Sequence, residues 1–159
     1  MQILGIGTDI IECDRIGRML TQHGERFTDH VFTDEEVRYC SGRKVSEQHF
    51  AGRWAAKEAV LKAFGTGWIA GIAWRDVEVV IQSGGKPIIR LHRGAAQKAT
   101  ELGIAEVLIS ISHCKSHATA TAIAIGIYAI NGSISDPENP VNPVTNVAMP
   151  NTRQTVSAG

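Results

Sequence analysis

The segment that most constrains this chain runs from Phe50 to Phe64, FAGRWAAKEAVLKAF. Eleven of its fifteen residues are apolar or glycine. That density predicts a helix over residues 47–64, buried on nearly all sides and stopped at Gly65-Thr66-Gly67. An enclosed helix should carry little charge, because a buried charge is costly unless it is paired or used. This one carries Arg53, Lys57, Glu58 and Lys62. At about 3.6 residues per turn, Glu58 and Lys62 share a face one turn apart, and Arg53 and Lys57 form a second such set. Two readings of Glu58 follow. It is the ion-pair partner of Lys62 at the rim of a packed helix, in the favourable Glu-then-Lys order, or it is a metal ligand with Lys62 as a phosphate contact. The second reading needs another carboxylate.

Asp9 can supply it. Residues 2–7 (QILGIG) read as a buried strand and Ile10 to Leu20 carries helical spacing, so Asp9 is expected at a strand-to-helix junction. Junctions often hold functional side chains, but an Asp there is also an ordinary helix N-cap. Spacing does not link Asp9 to Glu58, which lies 49 positions away.

The rest of the chain organises around these segments. Thr33-Asp34-Glu35-Glu36 fits a capping box and predicts a helix to about Cys40, with a loop over 41–46. DVEVVIQ (76–82) and PIIRLH (87–92) are joined by Ser83-Gly84-Gly85-Lys86, a hairpin signal. GAAQKATEL (94–102) reads as a helix stopped by Gly103, and residues 106–112 and 118–128 as two further strands. The order β-α-α-α-β-β-α-β-β predicts one α+β domain over residues 1–128, with a mainly antiparallel sheet packed on the long buried helix. Residues 129–159 hold four of the five prolines among Asn, Ser and Thr from Asn131 onward, and read as a tail without periodicity.

Composition excludes several classes. Sixteen basic and sixteen acidic residues give a formal net charge of zero. A general nucleic-acid binder draws its affinity from a basic excess, so none is expected here and any phosphate handling must be local. Three cysteines (Cys13, Cys40 and Cys114) with no C-x-x-C pair argue against a disulfide framework. The N-terminus lacks a basic region before its apolar residues and does not read as a signal peptide. No apolar run approaches the length of a membrane span. A cytoplasmic protein without membrane attachment is expected. Gly5-x-Gly7 is no dinucleotide fingerprint, Gly84-Gly85-Lys86 is no P-loop, and G-x-S-x-G is absent. His113 and His117 flank Cys114 at H-x3-H spacing, but no second cysteine pair completes a structural zinc site.

Two other groups of residues stand out. Alternation puts Ser110 and Ser112 on one face of a strand that ends at His113, a residue suited to phosphate binding or proton transfer, or simply to solvent. Arg15, Arg18, Met19, Gln22 and Arg26 fall at i, i+3, i+4, i+7 and i+11 and read as a basic stripe on the first helix. Such a stripe is either a solvated face or a dock for an acidic partner helix.

Three stretches taken together resemble the holo-acyl-carrier-protein synthases, the small bacterial type of 4′-phosphopantetheinyl transferase: GIGTDIIECDRI (5–16), FAGRWAAKEAVLKAFGTG (50–67) and ISISHCKSHATATAIA (109–124). ERFTDHVFTDEE (25–36) and GGKPIIRLHRGAAQKA (84–99) fit as well, so the resemblance spans about residues 3–127. It implies transfer of 4′-phosphopantetheine from coenzyme A to a serine of apo acyl carrier protein, with release of adenosine 3′,5′-bisphosphate, in support of fatty acid biosynthesis. It implies Mg2+ on Asp9 and Glu58. Lys62, Arg53, Gly65, Ser112 and His113 fall at the coenzyme A site, with Glu58 and Lys62 in the chemistry. It also makes Arg15, Arg18, Met19, Gln22 and Arg26 the carrier dock, and implies homotrimers with active sites between subunits. Many relatives place Tyr where His117 precedes Ala118, and the tail exceeds the family length.

The implied chemistry suits the residues. Mg2+ takes one or two carboxylates plus phosphate oxygens and water. The carrier serine is the nucleophile, and either Glu58 or a metal-bound water accepts its proton. A coenzyme A-binding module without turnover and a metal-dependent phosphoesterase are the rival readings.

Overall fold

A computed structural model describes residues 1–67 and 71–127. The expected tail lies outside the described residues. Eleven elements follow in order: β1 (Gln2–Glu12), α1 (Cys13–His23), α2 (Glu25–Val31), α3 (Asp34–Ser41), α4 (Ser46–Ala63), a 3-10 turn (Trp74–Asp76), β2 (Val77–Ile81), β3 (Pro87–Leu91), α5 (Arg93–Glu101), β4 (Ile104–His113) and β5 (His117–Gly126). The architecture is the expected α+β, with one more helix before the hairpin than the sequence pattern suggested.

β1, β5 and β4 form an antiparallel sheet with β5 in the centre, and β2 pairs with β3 as a separate antiparallel hairpin. α4 lies across one face of the three-stranded sheet. Small residues on both sides allow the close approach. Ala118, Ala120, Ala122 and Ala124 of β5 are buried, as are Ala51, Ala55, Ala56, Ala59 and Ala63 of α4. Gly5 and Gly7 of β1 sit so close to α4 that a Cβ on them would overlap the carbonyl oxygens of Ala63 and Ala59. Those pairs also fix direction: as β1 runs forward, α4 runs back.

Several local expectations hold. Thr33 Oγ1 accepts from the Glu36 amide (3.3 Å) while Glu36 Oε2 accepts from the Thr33 amide (2.8 Å), closing the capping box of α3. The hairpin turns through Gly85, whose positive φ of 84° favours glycine.

The first thirty residues depart from expectation. β1 continues through Asp9 to Glu12 because residues 2–12 pair with 117–126 of β5, and the helix expected from Ile10 starts at Cys13. Asp9 is therefore a mid-strand residue opposite Ala120, neither a junction nor an N-cap. At Gly24, with φ 50° and ψ −130°, the chain breaks, and a second helix, α2, follows.

α4 resolves part of its charge problem internally. Lys57 is inaccessible and pairs with the equally inaccessible Glu36 at 2.8 Å. Its ammonium also donates to the carbonyls of Trp74 (3.1 Å) and Val77. Glu36 in turn accepts from the Val79 amide at 2.9 Å. Burial pulls the Lys57 ammonium below its usual range, opposed by Glu36 and, more weakly, Glu78. The pair ties α3, α4 and the start of β2 together. Among the described residues no helix is long and apolar enough to cross a membrane.

Candidate functional site

Asp9 shares the α4-facing side of β1 with Gly5 and Gly7, since side chains alternate along a strand. Helical side chains lean toward the helix N-terminus, so Lys62 reaches back over the turn that holds Glu58. Its ammonium donates to Asp9 Oδ1 at 2.8 Å and to the Thr8 carbonyl at 3.0 Å. The sequence-level pairing of Lys62 with Glu58 is not formed. Lys62 is half exposed and the Asp9 carboxylate only 15% exposed, so the pair stands at a surface opening. Glu58 is half-buried, one turn along the same flank of α4, and among the described residues no hydrogen bond or ion pair engages its carboxylate. A cation, a carboxylate held by it and a carboxylate without a partner thus share one edge of α4.

The opposite flank of α4 carries a second cluster. Arg53 is 4% exposed and stacks over the Tyr39 ring at 4.2 Å, with Arg43 over the same ring at 4.1 Å. Its Nη1 donates to the His49 carbonyl (3.4 Å), and its Nε is buried without a partner. His49 meets the His113 ring edge-on at 5.3 Å. Among the described residues no carboxylate forms an ion pair with Arg43, Arg53, His49 or His113. Arg53 does not pair with Lys57 as an i,i+4 set; the helix turns the two toward different partners.

The residues expected at one coenzyme A site are therefore dispersed. Lys62 and Gly65 lie at the C-terminal end of α4, and Gly65 takes φ 69° just past the helix. Arg53 and His113 lie toward its N-terminal end, on the other flank. Ser112 parts from His113. A Cβ at Gly52 of α4 would touch Ile111, so Ile111 and His113 face the helix while Ser112, paired with Thr119, faces away. Tyr39, Arg43 and His49 escaped the sequence reading. The 49/53 spacing was visible, but nothing in sequence tied it to residue 113.

The expected carrier dock is also rearranged. Arg15, Arg18, Met19 and Gln22 lie on α1, but Arg26 lies on α2, beyond the Gly24 break. Arg26 nevertheless returns beside Met19, where both line a groove of about 440 Å³ with His23, Phe27 and His30. A neighbouring groove of about 580 Å³ includes Arg18, Gln22, Asp14 and Glu47. Arg15, Arg18 and Arg26 are exposed and form no ion pair among the described residues.

Among the described residues nothing covers the side of the sheet away from α4. Ile6, Ile123 and Leu108 form one row across β1, β5 and β4, and Thr8, Thr121 and Ser110 the next. Ile6 is 63% exposed, Ile10 67% and Leu108 38%.

Comparison with known proteins bears on this arrangement. The family model of the 4′-phosphopantetheinyl transferase superfamily matches residues 5–123. The holo-[acyl-carrier-protein] synthase of Protochlamydia amoebophila (strain UWE25) is 48% identical over 120 residues, covering 76% of this chain and 96% of that one. The crystal structure of holo-[acyl-carrier-protein] synthase from Neisseria meningitidis superposes with a TM-score of 0.72 at 31% identity, covering 78% and 99% of the two chains. The holo-(acyl-carrier-protein) synthase of Bacillus anthracis str. Ames, solved in complex with CoA (3′,5′-ADP), gives a TM-score of 0.66 at 35% identity, covering 80% and 100%.

Proposed function

The chain belongs to the 4′-phosphopantetheinyl transferase superfamily, among its holo-[acyl-carrier-protein] synthases, and we propose that it transfers the 4′-phosphopantetheine of coenzyme A to a serine hydroxyl of apo acyl carrier protein. The observation that carries the reading is the Asp9–Lys62 pair beside the unpartnered Glu58.

The donor set suits Mg2+. Asp9 and Glu58 offer only oxygen, the ligand type that hard cations take. Among the described residues no group of three or more His, Cys, Asp or Glu side chains is placed to hold a metal ion, so Asp9 and Glu58 would hold Mg2+ together with substrate oxygens and water. When bound, the ion supplies positive charge to the pyrophosphate.

The protein's own groups have distinct tasks. The carrier serine attacks the β-phosphorus, and the bond to the bridging oxygen breaks, releasing adenosine 3′,5′-bisphosphate. Glu58 is the carboxylate in this set available to hold the serine's proton. Lys62, exposed on one side, offsets charge growing on the departing phosphate while it fixes the Asp9 carboxylate. The buried Arg53 guanidinium and Arg43 carry positive charge without an acidic partner among the described residues and, with the His113 ring, suit the adenosine phosphates. The unpaired arginines of α1 and α2 around the Met19 groove suit an acidic carrier helix. The product, a carrier bearing a phosphopantetheine thiol, is what fatty acid biosynthesis consumes.

The two charged clusters occupy opposite flanks of α4, so one protomer does not present them to a single ligand. A neighbouring subunit does, and the uncovered Ile6–Ile123–Leu108 face supplies an apolar contact surface for a homotrimer. Incubation with Mg2+, coenzyme A and a panel of apo carriers should add one phosphopantetheine to a carrier's mass, and a chelator should abolish the gain. No gain with any carrier sinks the reading.

A further inference from the structure

His113 ends β4 on the side facing α4, and among the described residues no hydrogen bond or ion pair engages its ring. Its one described ring contact is His49, in the first turn of α4, with centroids 5.3 Å apart and planes at 71°. His49 has a firm seat. Tyr39 of α3 meets it edge-on at 6.0 Å. Arg43 and Arg53 both stack over that tyrosine, and Arg53 also donates to the His49 carbonyl. The bracing runs from two arginines through Tyr39 and His49 to an otherwise untethered imidazole.

We propose that His49 is a positioning residue for His113, its ring fixing the direction in which the His113 imidazole meets the adenosine phosphates of coenzyme A. This rests on the assignment of His113 to the coenzyme A site. The charged and titratable groups facing His49 are Tyr39 from α3, Arg43 from the α3–α4 loop, Arg53 from α4 and His113 from β4. None is a carboxylate. Burial first, then His113, Arg53 and Arg43, hold the His49 imidazole below its ordinary range.

An edge-to-face ring pair contributes about 0.5–1.5 kcal/mol, so His49→Ala should raise KM for coenzyme A about 2- to 10-fold with kcat little changed. His49→Phe, which keeps a ring, should restore KM to within about twofold of wild type. His49→Ala in a His113→Ala background should add nothing, because the residue acts through His113. If His49→Ala fails to fold, His49→Leu takes its place. Additive effects of the two substitutions, or a His49→Phe enzyme as impaired as His49→Ala, would overturn the proposal. Unchanged KM in His113→Ala alone would instead refute the coenzyme A assignment on which it rests.

Discussion

Lys62 pairs with Asp9 across the β1–α4 interface at 2.8 Å and leaves Glu58, one turn along its own helix, without a partner among the described residues. Removing the amine deprives Asp9 of its orienting donor and the departing phosphate of its counter-charge. Lys62→Ala should therefore lower kcat/KM about 100- to 1000-fold. Asp9→Asn keeps the shape and an acceptor for Lys62 but loses the charge, so it should cost a similar factor and move the Mg2+ requirement to higher concentration. Steady-state rates across a Mg2+ titration check both. Variants that keep near-native rates at native Mg2+ would remove these residues from the chemistry.

Gly7 sets the distance between β1 and α4. A methyl group there would overlap the Ala59 carbonyl and crowd the Ala63 amide, and neither backbone can yield. Gly7→Ala should destabilise the fold by about 3 kcal/mol or more, the upper range for overpacking. Gly84→Ala, where nothing lies within 4 Å, should stay within about 0.5 kcal/mol of wild type. Urea denaturation of the two variants decides this.

The inaccessible Lys57–Glu36 pair predicts an asymmetry. Lys57→Met leaves a buried carboxylate uncompensated and should cost about 3–5 kcal/mol. Adding Glu36→Gln should recover part of that loss. A neutral amide carries no charge to strand, but its single oxygen accepts from only one of the Thr33 and Val79 amides, which bond different oxygens of Glu36, so the recovery is incomplete. Denaturation midpoints of the single and double variants make the comparison, and equal midpoints would contradict it.

Ile6→Glu places a charge at the β1 end of the exposed Ile6–Ile123–Leu108 row. In light scattering it should convert the proposed homotrimer to monomer, with transfer activity lost and secondary structure by circular dichroism retained. An active monomer would show that the site is complete within one chain.

Much of the fold was legible in local pattern. The Thr33–Glu36 capping box, the hairpin around Gly84-Gly85 and the enclosed α4 each rest on interactions within a few residues, and each formed within two residues of its expected bounds. The anomaly of a charged buried helix was also visible, and it drew attention to the residues that matter. What sequence could not supply was the partner of each charge across elements. Lys57 found Glu36, Lys62 found Asp9, and Arg53 found Tyr39, through contacts between elements that no periodicity encodes.

The opening strand shows the same division. Residues 10–12 open a pattern that suits a helix, yet β5, more than a hundred positions away, holds them in a ladder. Asp9 thereby became a strand residue facing α4 and not a helix cap. Sequence alone determined that this chain forms a long enclosed helix with small residues and charges that each need a partner or a use. Tertiary structure decided that Asp9, Glu58 and Lys62 occupy one flank of that helix while Arg53 and His113 occupy the other, because strand alternation and helical rotation set side-chain direction only once β1, β4 and α4 are packed together.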